Sequence, residues 1–142
     1  MLIKQISVFV ENKAGRLAEI TKVLAAHEID IRALSIADTT NFGILRLIVN
    51  KPEECEKVLK EAGLTVSQTD VIAIGIDDTP GSFAKVLELL AAHGMDVDYV
   101  YAFLGHSVRA CVIVRLEENE RALSVLRDAG VRIYSAQEVY QM

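Results

Sequence analysis

The sequence predicts an α+β protein made of two consecutive βαββαβ domains, residues 1–68 and 69–142. The first observation is an internal repeat: the sixteen residues from Gly15 to Asp30 recur 66 positions later with seven identities. The second is that strand-like and helix-like periodicities follow the same order in both copies. The repeat is longer than a solenoid unit, so each copy is expected to be a whole small domain.

The first copy shows four strand patterns and two helix patterns. Its first strand alternates toward apolar residues, and its first helix follows a turn cluster with apolar residues at helical spacing. Pro52 suits the first turn of a second helix, and Gly63 ends that helix. The predicted strands are Ile3–Val10, Ile31–Ala37, Ile44–Val49 and Leu64–Asp70, with a turn at residues 39–43.

The second copy repeats this order. Gly94 ends its first helix, and Gly130 ends a second helix predicted over Glu117–Ala129. The predicted strands are Val71–Ile76, Val97–Phe103, Val108–Val114 with a turn around Gly105 before it, and a last strand beginning at Val131–Tyr134.

Right-handed crossovers turn each copy into a ferredoxin-like sandwich, a four-stranded antiparallel sheet with both helices on one face. A domain of about 70 residues has a modest core and an exposed edge strand. Pairing the two copies edge to edge would cover that edge. We therefore expect one eight-stranded antiparallel sheet with four helices on one face.

Composition limits the classes of partner. Hydrophobic residues make up 51% of the chain, which predicts an extensive domain or subunit interface and a homo-oligomer. The net charge of −5 argues against nucleic acid, and no apolar run is long enough to span a membrane. The N-terminus lacks signal-peptide features, so a cytoplasmic location is expected. Cys55 and Cys111 have no disulfide or metal spacing and are expected to be buried; no metal or cofactor is predicted.

The connection between first strand and first helix has polar residues followed by glycine in both copies. It reads E-N-K-A-G-R-L at residues 11–17 and D-D-T-P-G-S-F at residues 77–83. Free N–H groups at a helix start suit a carboxylate, and Asn12 or Asp78 can accept hydrogen bonds from an ammonium group. This combination is what an α-amino acid requires.

These loops resemble those of the ACT domain, a small regulatory module of amino-acid metabolism, and the resemblance covers nearly the whole chain twice. The first loop is similar to that of the serine-sensing form in phosphoglycerate dehydrogenase, with Ala14 in place of a proline. The resemblance implies ligands held between two side-by-side domains. A second family position, eighteen residues after the loop residue, matches Asp30 and Asp96, which are aspartates here instead of amides.

The resemblance and the loops together predict a ligand site at the seam between the domains. Its acidity favours a free amino acid with an additional nitrogen, such as histidine or a basic amino acid. The loops differ at Ala14 and Pro80 and at Arg16 and Ser82, so one site is expected to dominate. The predicted ligand-binding residues are Glu11, Asn12, Ala14, Gly15, Arg16, Leu17, Asp30, Asp77, Asp78, Pro80, Gly81, Ser82, Phe83, Asp96, Tyr99 and Tyr101.

Each of these residues also has a structural interpretation. Asn12 and Asp78 are common in turns and as helix caps, and Asp30 and Asp96 suit solvated turns. Tyr99 and Tyr101 alternate on one strand and could simply pack. His27 and His93 end their helices, where a partial positive charge is favourable.

The predicted function is regulatory and not enzymatic, because no catalytic constellation is apparent in the sequence. Binding of an amino acid would act in trans on a metabolic enzyme, since no catalytic domain is fused to these copies. The alternative is an interaction or dimerisation module that binds no ligand.

Overall fold

The computed structural model describes residues 2–38, 41–103 and 110–142. Its compact parts are two units. The N-terminal unit holds Lys4–Thr69 and Gln141, and the C-terminal unit holds Asp70–Tyr140 with residues 2–3 and Met142. Each unit is a layer of helices on an antiparallel sheet.

In the N-terminal unit the strand order is β2-β3-β1-β4. Pairing is antiparallel between β1 and β3, with Val8 opposite Leu45, and between β2 and β3. The elements are β1 (Ile3–Glu11), α1 (Arg16–Ala26), β2 (Ile31–Asp38), β3 (Phe42–Val49), α2 (Pro52–Glu61) and the first residues of β4 (Thr65–Ile76).

Alternation along β1 sets the core of this unit. Ile6, Val8 and Val10 are buried against the apolar faces of α1 and α2, whereas Phe9 points to the opposite face of the sheet and is 55% exposed. The helices supply Ile20, Leu24, Cys55, Val58 and Leu59 to the same core. Apolar burial in this cluster is the main source of the unit's stability.

In the C-terminal unit β4 pairs with β7 on one side and with β6 on the other, and β6 pairs with β5. The elements are the remainder of β4, α3 (Ser82–Ala92), β5 (Tyr99–Ala102), β6 (Ala110–Arg115), α4 (Asn119–Asp128), β7 (Arg132–Tyr134) and α5 (Ala136–Gln141). Its core repeats the first, with Ile72, Ile74, Val86, Leu90 and Leu126 among the buried side chains.

The predicted fold class, two ferredoxin-like domains, is confirmed, but the element count differs. The two strands predicted over residues 64–76 form the single strand β4, so the described part of the chain has seven strands and not eight. A fifth helix, α5, follows β7. Ser135 caps it by accepting a hydrogen bond from the Glu138 N–H, while the Glu138 side chain accepts from the Ser135 N–H.

Several boundaries also shift. β3 begins at Phe42, two residues earlier than predicted, and β5 begins at Tyr99, two residues later than predicted. Helix α4 is one or two residues shorter at each end, as is common for helix ends. The predicted turn around Gly105, the start of the predicted strand at Val108, and residues 39–40 of the first predicted turn lie outside the described residues.

Candidate functional site

The loop from β1 to α1 has a defined backbone conformation. The Lys13 N–H donates to the Glu11 carbonyl at 2.8 Å, and the Arg16 N–H donates to the Lys13 carbonyl at 3.3 Å. Gly15 then takes a left-handed conformation with φ of 83° as the N-cap residue of α1. Glycine adopts this φ without the steric cost that a side chain would add.

The loop from β4 to α3 repeats these features at the equivalent positions. The Thr79 N–H donates to the Asp77 carbonyl at 2.8 Å, and the Ser82 N–H donates to the Thr79 carbonyl at 3.2 Å. Gly81 has a φ of 90° and is the N-cap residue of α3. The sequence repeat is therefore a repeat of backbone conformation, including both glycines.

Neither helix has a side-chain cap. Gly15 and Gly81 occupy the N-cap positions, so Asn12 and Asp78 do not cap their helices and this interpretation of them is wrong. The second and third helical residues, Leu17 with Ala18 and Phe83 with Ala84, have N–H groups with no acceptor in their own helix. Each helix start therefore offers two backbone donors without an acceptor in its own helix, and such donors suit a carboxylate.

In the N-terminal unit two predicted ligand residues, Glu11 and Arg16, belong to one ion-pair network. Glu11 forms ion pairs with Lys13 at 2.9 Å and with Arg16 at 3.8 Å, and Arg16 also pairs with Glu19 at 3.0 Å. The hydrogen bond from Lys13 is the main cause that lowers the pKa of the Glu11 carboxyl below its ordinary value. The charges of this loop are thus already compensated within the unit.

Two further loop residues of the N-terminal unit have defined positions. The Asn12 N–H donates to the Asn41 carbonyl at 3.1 Å. The Asn12 side chain lies close to Gly43, since a Cβ added at Gly43 would be 3.7 Å from the Asn12 Oδ1. Ala14 is exposed at the loop apex, and the Leu17 side chain is exposed as well. The backbone of Asn12 is therefore bonded to the residue that precedes β3.

In the C-terminal unit the equivalent residues line a cleft. Asp78 and Phe83 contribute to a cleft of about 290 Å³, with Asp77, Thr79 and Gly81 from the same loop. Ala110 and Val112 of β6 form another wall. Ser82 is tied to Thr79 by a hydroxyl–hydroxyl hydrogen bond of 2.6 Å, and Pro80 is exposed at the apex. The C-terminal loop therefore borders a defined cleft.

Asp30 and Asp96 lie away from the loops of their own units. In β2 and β3 the register places Asp38 opposite Gly43 near Asn12, whereas Ile31 pairs with Val49 at the other end. Eight residues of β2 span roughly 25 Å. Asp30 is therefore at the opposite end of the sheet from Asn12, and the two do not share a site within one unit.

Asp30 and Asp96 have local partners of different kinds. Asp30 forms an ion pair with Arg32 at 3.1 Å, and its N–H donates to the Asn50 side chain at 2.9 Å. Asp96 lines an acidic cleft of about 330 Å³ with Asp98, Glu117 and Glu118. The solvated-turn interpretation is thus compatible with both aspartates, and a ligand role for them stays a prediction.

Tyr99 and Tyr101 point to one face of β5, as their alternation predicted. Their rings stack with centroids 6.4 Å apart, and both side chains are half-buried. Tyr101 lies opposite Ile113 in the sheet. The pair forms an aromatic surface that packing alone can explain, so its predicted ligand role also stays a prediction.

His27, His93 and the two cysteines have contacts that a structural role explains. The Nδ1 atoms of His27 and His93 each lie 2.9 Å from a carbonyl one turn earlier in their helices. Both cysteines are buried, and burial raises the pKa of each thiol to about 12. Within residues 2–38, 41–103 and 110–142, no group of His, Cys, Asp or Glu is arranged to hold a metal ion.

A larger cleft in the C-terminal unit was not predicted from the sequence. It measures about 460 Å³ and lies between α3 and the turn that joins α4 to β7. Lys85 and Arg132 line it together with Asp77 and Ser82. Local motifs did not indicate it, because Arg132 follows Lys85 by 47 positions and only the fold brings them to one cleft.

Comparison with protein families assigns the whole chain to a known family. The model of the ACT domain pair matches residues 1–142. The chain belongs to this family. The resemblance drawn from the two loops is thereby confirmed over its full length, and an ACT domain pair is a regulatory type of module and not a catalytic one.

Solved structures agree with this assignment. A protein from Bacteroides thetaiotaomicron is 40% identical, with 100% of this chain and 98% of that chain covered and a TM-score of 0.94. The ligand-free regulatory subunit of aspartate kinase from Thermus thermophilus is 20% identical, with 90% and 93% covered and a TM-score of 0.66. The corresponding subunit from Thermus flavus is 17% identical, with 89% and 91% covered and a TM-score of 0.63. No curated protein matches the chain.

At this level of identity, the two aspartate kinase subunits show only that their fold is similar to that of this chain.

In this ACT domain pair, none of the helices in the described residues is long and apolar enough to cross a membrane.

Proposed function

We propose that this ACT domain pair is a regulatory protein that binds a free amino acid through its strand-to-helix loops. The observation that supports this most is the duplicated loop, in which a left-handed glycine occupies the N-cap position and no side chain caps the helix-start N–H groups. These donors suit the carboxylate of the ligand. Asn12 and Asp78 would accept hydrogen bonds from its ammonium group.

The C-terminal loop is the better candidate for the stronger site. Glu11 and Arg16 of the N-terminal loop are paired with each other and with Lys13 and Glu19, so a ligand there must displace ion pairs. Asp78 forms no ion pair with any residue the structure describes, and it lines an open cleft. Its carboxylate is available to a ligand nitrogen, which favours histidine or a basic amino acid as the ligand.

Regulation would follow from binding. A ligand shifts a conformational equilibrium only by its difference in affinity for the two states. The T. thermophilus structure is that of a regulatory subunit of aspartate kinase. By analogy, we propose that this chain acts in trans on a metabolic enzyme and has no activity of its own.

Thermal melts against each of the twenty amino acids at millimolar concentration test this function. One or a few amino acids should raise the melting temperature by mass action. At a ligand concentration of a hundred times Kd, the free energy of unfolding should rise by about 2.7 kcal/mol. Asp78→Ala should remove most of the shift, and Asn12→Ala a smaller part. Gln137→Ala and Asp128→Ala remove an exposed amide and an exposed carboxylate elsewhere and should leave it unchanged. The absence of any shift would refute ligand binding by amino acids.

A second candidate function, an interaction module, is favoured by one apolar surface. Phe9 and Phe42 are 55% and 50% exposed, and Phe9 pairs with Ile44 on the sheet face away from α1 and α2. Exposed patches of this kind mark interfaces. Sedimentation equilibrium of the wild type and Phe9→Ser tests this function. If the wild type has the molar mass of a homo-oligomer and Phe9→Ser has a lower one, this face forms the contact between subunits. An unchanged mass would exclude this face as the contact.

A further inference from the structure

Strand β2 forms the outer edge of the N-terminal sheet and carries exposed apolar side chains. It is hydrogen-bonded to β3 on one side and has no neighbouring strand on the other among the described residues. Leu34 and Ile36 point to the helix-covered face, opposite the buried Leu47 and Leu45, yet they are 40% and 49% exposed. The helix layer therefore leaves this edge of the sheet uncovered.

An edge strand of this kind is a template for pairing with another chain, and proteins usually protect it. The common means are lysine or proline within the strand, or a very short strand. Residues 33–38 contain neither lysine nor proline, and β2 is eight residues long. Its pairing with β3 is irregular between Ile31 and Ala33 and regular from Ala33 to Asp38. The outward backbone groups of residues 33–38 can therefore pair with another strand.

The corresponding edge of the C-terminal unit is different. Within the described residues, β5 has four residues, and its exposed positions are Val100 and Ala102. In the repeat of 66 positions, these two residues correspond to Leu34 and Ile36. The β2 edge therefore has the larger exposed aliphatic surface and the longer strand.

The sequence of β2 is complementary to itself in the antiparallel direction. When Ser35 lies opposite Ser35 of a second copy, Leu34 lies opposite Ile36. The same register places Arg32 opposite Asp38, and each pair occurs twice because a two-fold axis relates the copies. Apolar pairs and pairs of opposite charge at directly opposed positions stabilise a sheet. Since opposed residues point to the same face, this register also keeps the helices of both copies on one face.

The charges at the ends of β2 favour a second β2 as the partner. Asp38 is exposed and forms no ion pair with any residue that the structure describes. Arg32 binds Asp30 at 3.1 Å, and a guanidinium with five N–H donors can serve a second carboxylate. The equivalent register between β2 and the β5 of another copy would instead place Asp38 opposite Asp98, and like charges directly opposite are destabilising. A second copy of β2 therefore fits this edge better than β5.

We propose that two copies of the chain associate through β2, antiparallel and with Ser35 at the two-fold axis. The backbone groups of the β2 edge form hydrogen bonds between the copies, and Leu34 and Ile36 of each copy cover those of the other. The proposal does not rest on amino-acid binding. It also differs from association through Phe9, because Phe9 lies on the sheet face away from the helices, whereas Leu34 and Ile36 lie on the other face.

Sedimentation equilibrium of the full chain over a range of concentrations tests this association. The wild type should have the molar mass of a dimer, and Ile36→Lys should raise the dissociation constant about tenfold or more. Asp38→Lys should raise it as well, because it places a lysine opposite Arg32. Arg32→Glu combined with Asp38→Lys should restore most of the wild-type affinity, since opposite charges face each other again. Val100→Lys is the matched control, because it changes the equivalent position of β5 and should leave the mass unchanged.

A disulfide tests the register of the two strands. Residue 35 faces its own counterpart across the two-fold axis, so Ser35→Cys should form a cross-linked dimer under mild oxidation. Ala37→Cys is the control, because in this register the two copies of residue 37 are four positions apart along the strands, roughly 13 Å, too far for a disulfide. Cys55 and Cys111 are buried and should not compete.

Several results would overturn the proposal. A monomer at every concentration, or a dimer that Ile36→Lys does not weaken, would refute it. Loss of the dimer in Phe9→Ser but not in Ile36→Lys would assign the contact to the other face of the sheet. Loss of the dimer in Val100→Lys, or faster cross-linking of Ala37→Cys than of Ser35→Cys, would show that different strands or a different register form the contact.

Discussion

The two units have the same arrangement of strands and helices, but side chains at equivalent positions have different environments. Phe9 on β1 is exposed, whereas its counterpart Gly75 on β4 lies under Tyr134. Arg16 bridges two glutamates, whereas its counterpart Ser82 borders an open cleft. After duplication of a fold, the core fixes the backbone while surface positions remain free to change. The difference between the units therefore indicates where their functions differ.

The largest expected effect concerns the thiols, one in each unit. Because both are buried with a pKa raised to about 12, a disulfide reagent at pH 8 should react far more slowly with the folded chain than with the chain in guanidinium, where two thiols react. Rapid reaction of one thiol would show that its unit opens locally. Identifying whether Cys55 or Cys111 reacts would show which unit opens.

The same pKa values predict how stability depends on pH. Unfolding exposes thiols that ionise near 9.0, whereas the folded thiols stay neutral until about pH 12. The contribution of thiol burial is therefore fully present below pH 9 and is lost as the pH rises toward 12. Denaturant unfolding between pH 8 and 10.5 should show this decline, and Cys55→Ala with Cys111→Ala should reduce it.

The next effect tests the contrast at Gly75. A Cβ there would lie 2.9 Å from the Tyr134 hydroxyl and 3.1 Å from a Tyr134 ring carbon, and this buried ring has little room to move. Gly75→Ala should lower the free energy of unfolding by about 1–3 kcal/mol. Gly43→Ala in β3 is the control, because its closest contact would be an ordinary 3.4 Å. Equal losses in both variants would contradict the packing argument.

A smaller effect is expected at the start of α5, which only the C-terminal unit has among the described residues. Ser135→Ala removes the acceptor for the Glu138 N–H and should cost about 1 kcal/mol. Ser124→Ala, an exposed serine within α4, should cost nothing because alanine is the better helix former. Urea unfolding of both variants measures the difference, and a similar loss for each would argue against the cap.

The smallest effect concerns Glu11, whose carboxyl has a pKa below the ordinary value of 4.5 mainly because Lys13 donates to it. Lys13→Met should raise this pKa toward 4.5, and Arg16→Ser should raise it less. The lowered pKa stabilises the fold above pH 4.5, and this contribution disappears as the pH falls through the folded value. NMR titration of the Glu11 side chain checks the order of the two variants.

The sequence alone predicted the duplicated fold, because periodicity and the positions of Gly15, Gly63, Gly81 and Gly130 depend on local geometry. The helix α5 was also predictable: S-A-Q-E at residues 135–138 is the sequence signature of a capping box. The fusion of two strands into β4 was not, since a strand end without a turn residue has no local signal.

For the candidate site, the sequence by itself determined the two loops and their glycines, because helix-start geometry is a property of neighbouring residues. Only the tertiary structure decided that Asn12 and Asp30 lie at opposite ends of a sheet and that Lys85 and Arg132 line the same cleft. The physical reason is that these relations depend on strand register and chain crossover, which join residues that are distant in sequence.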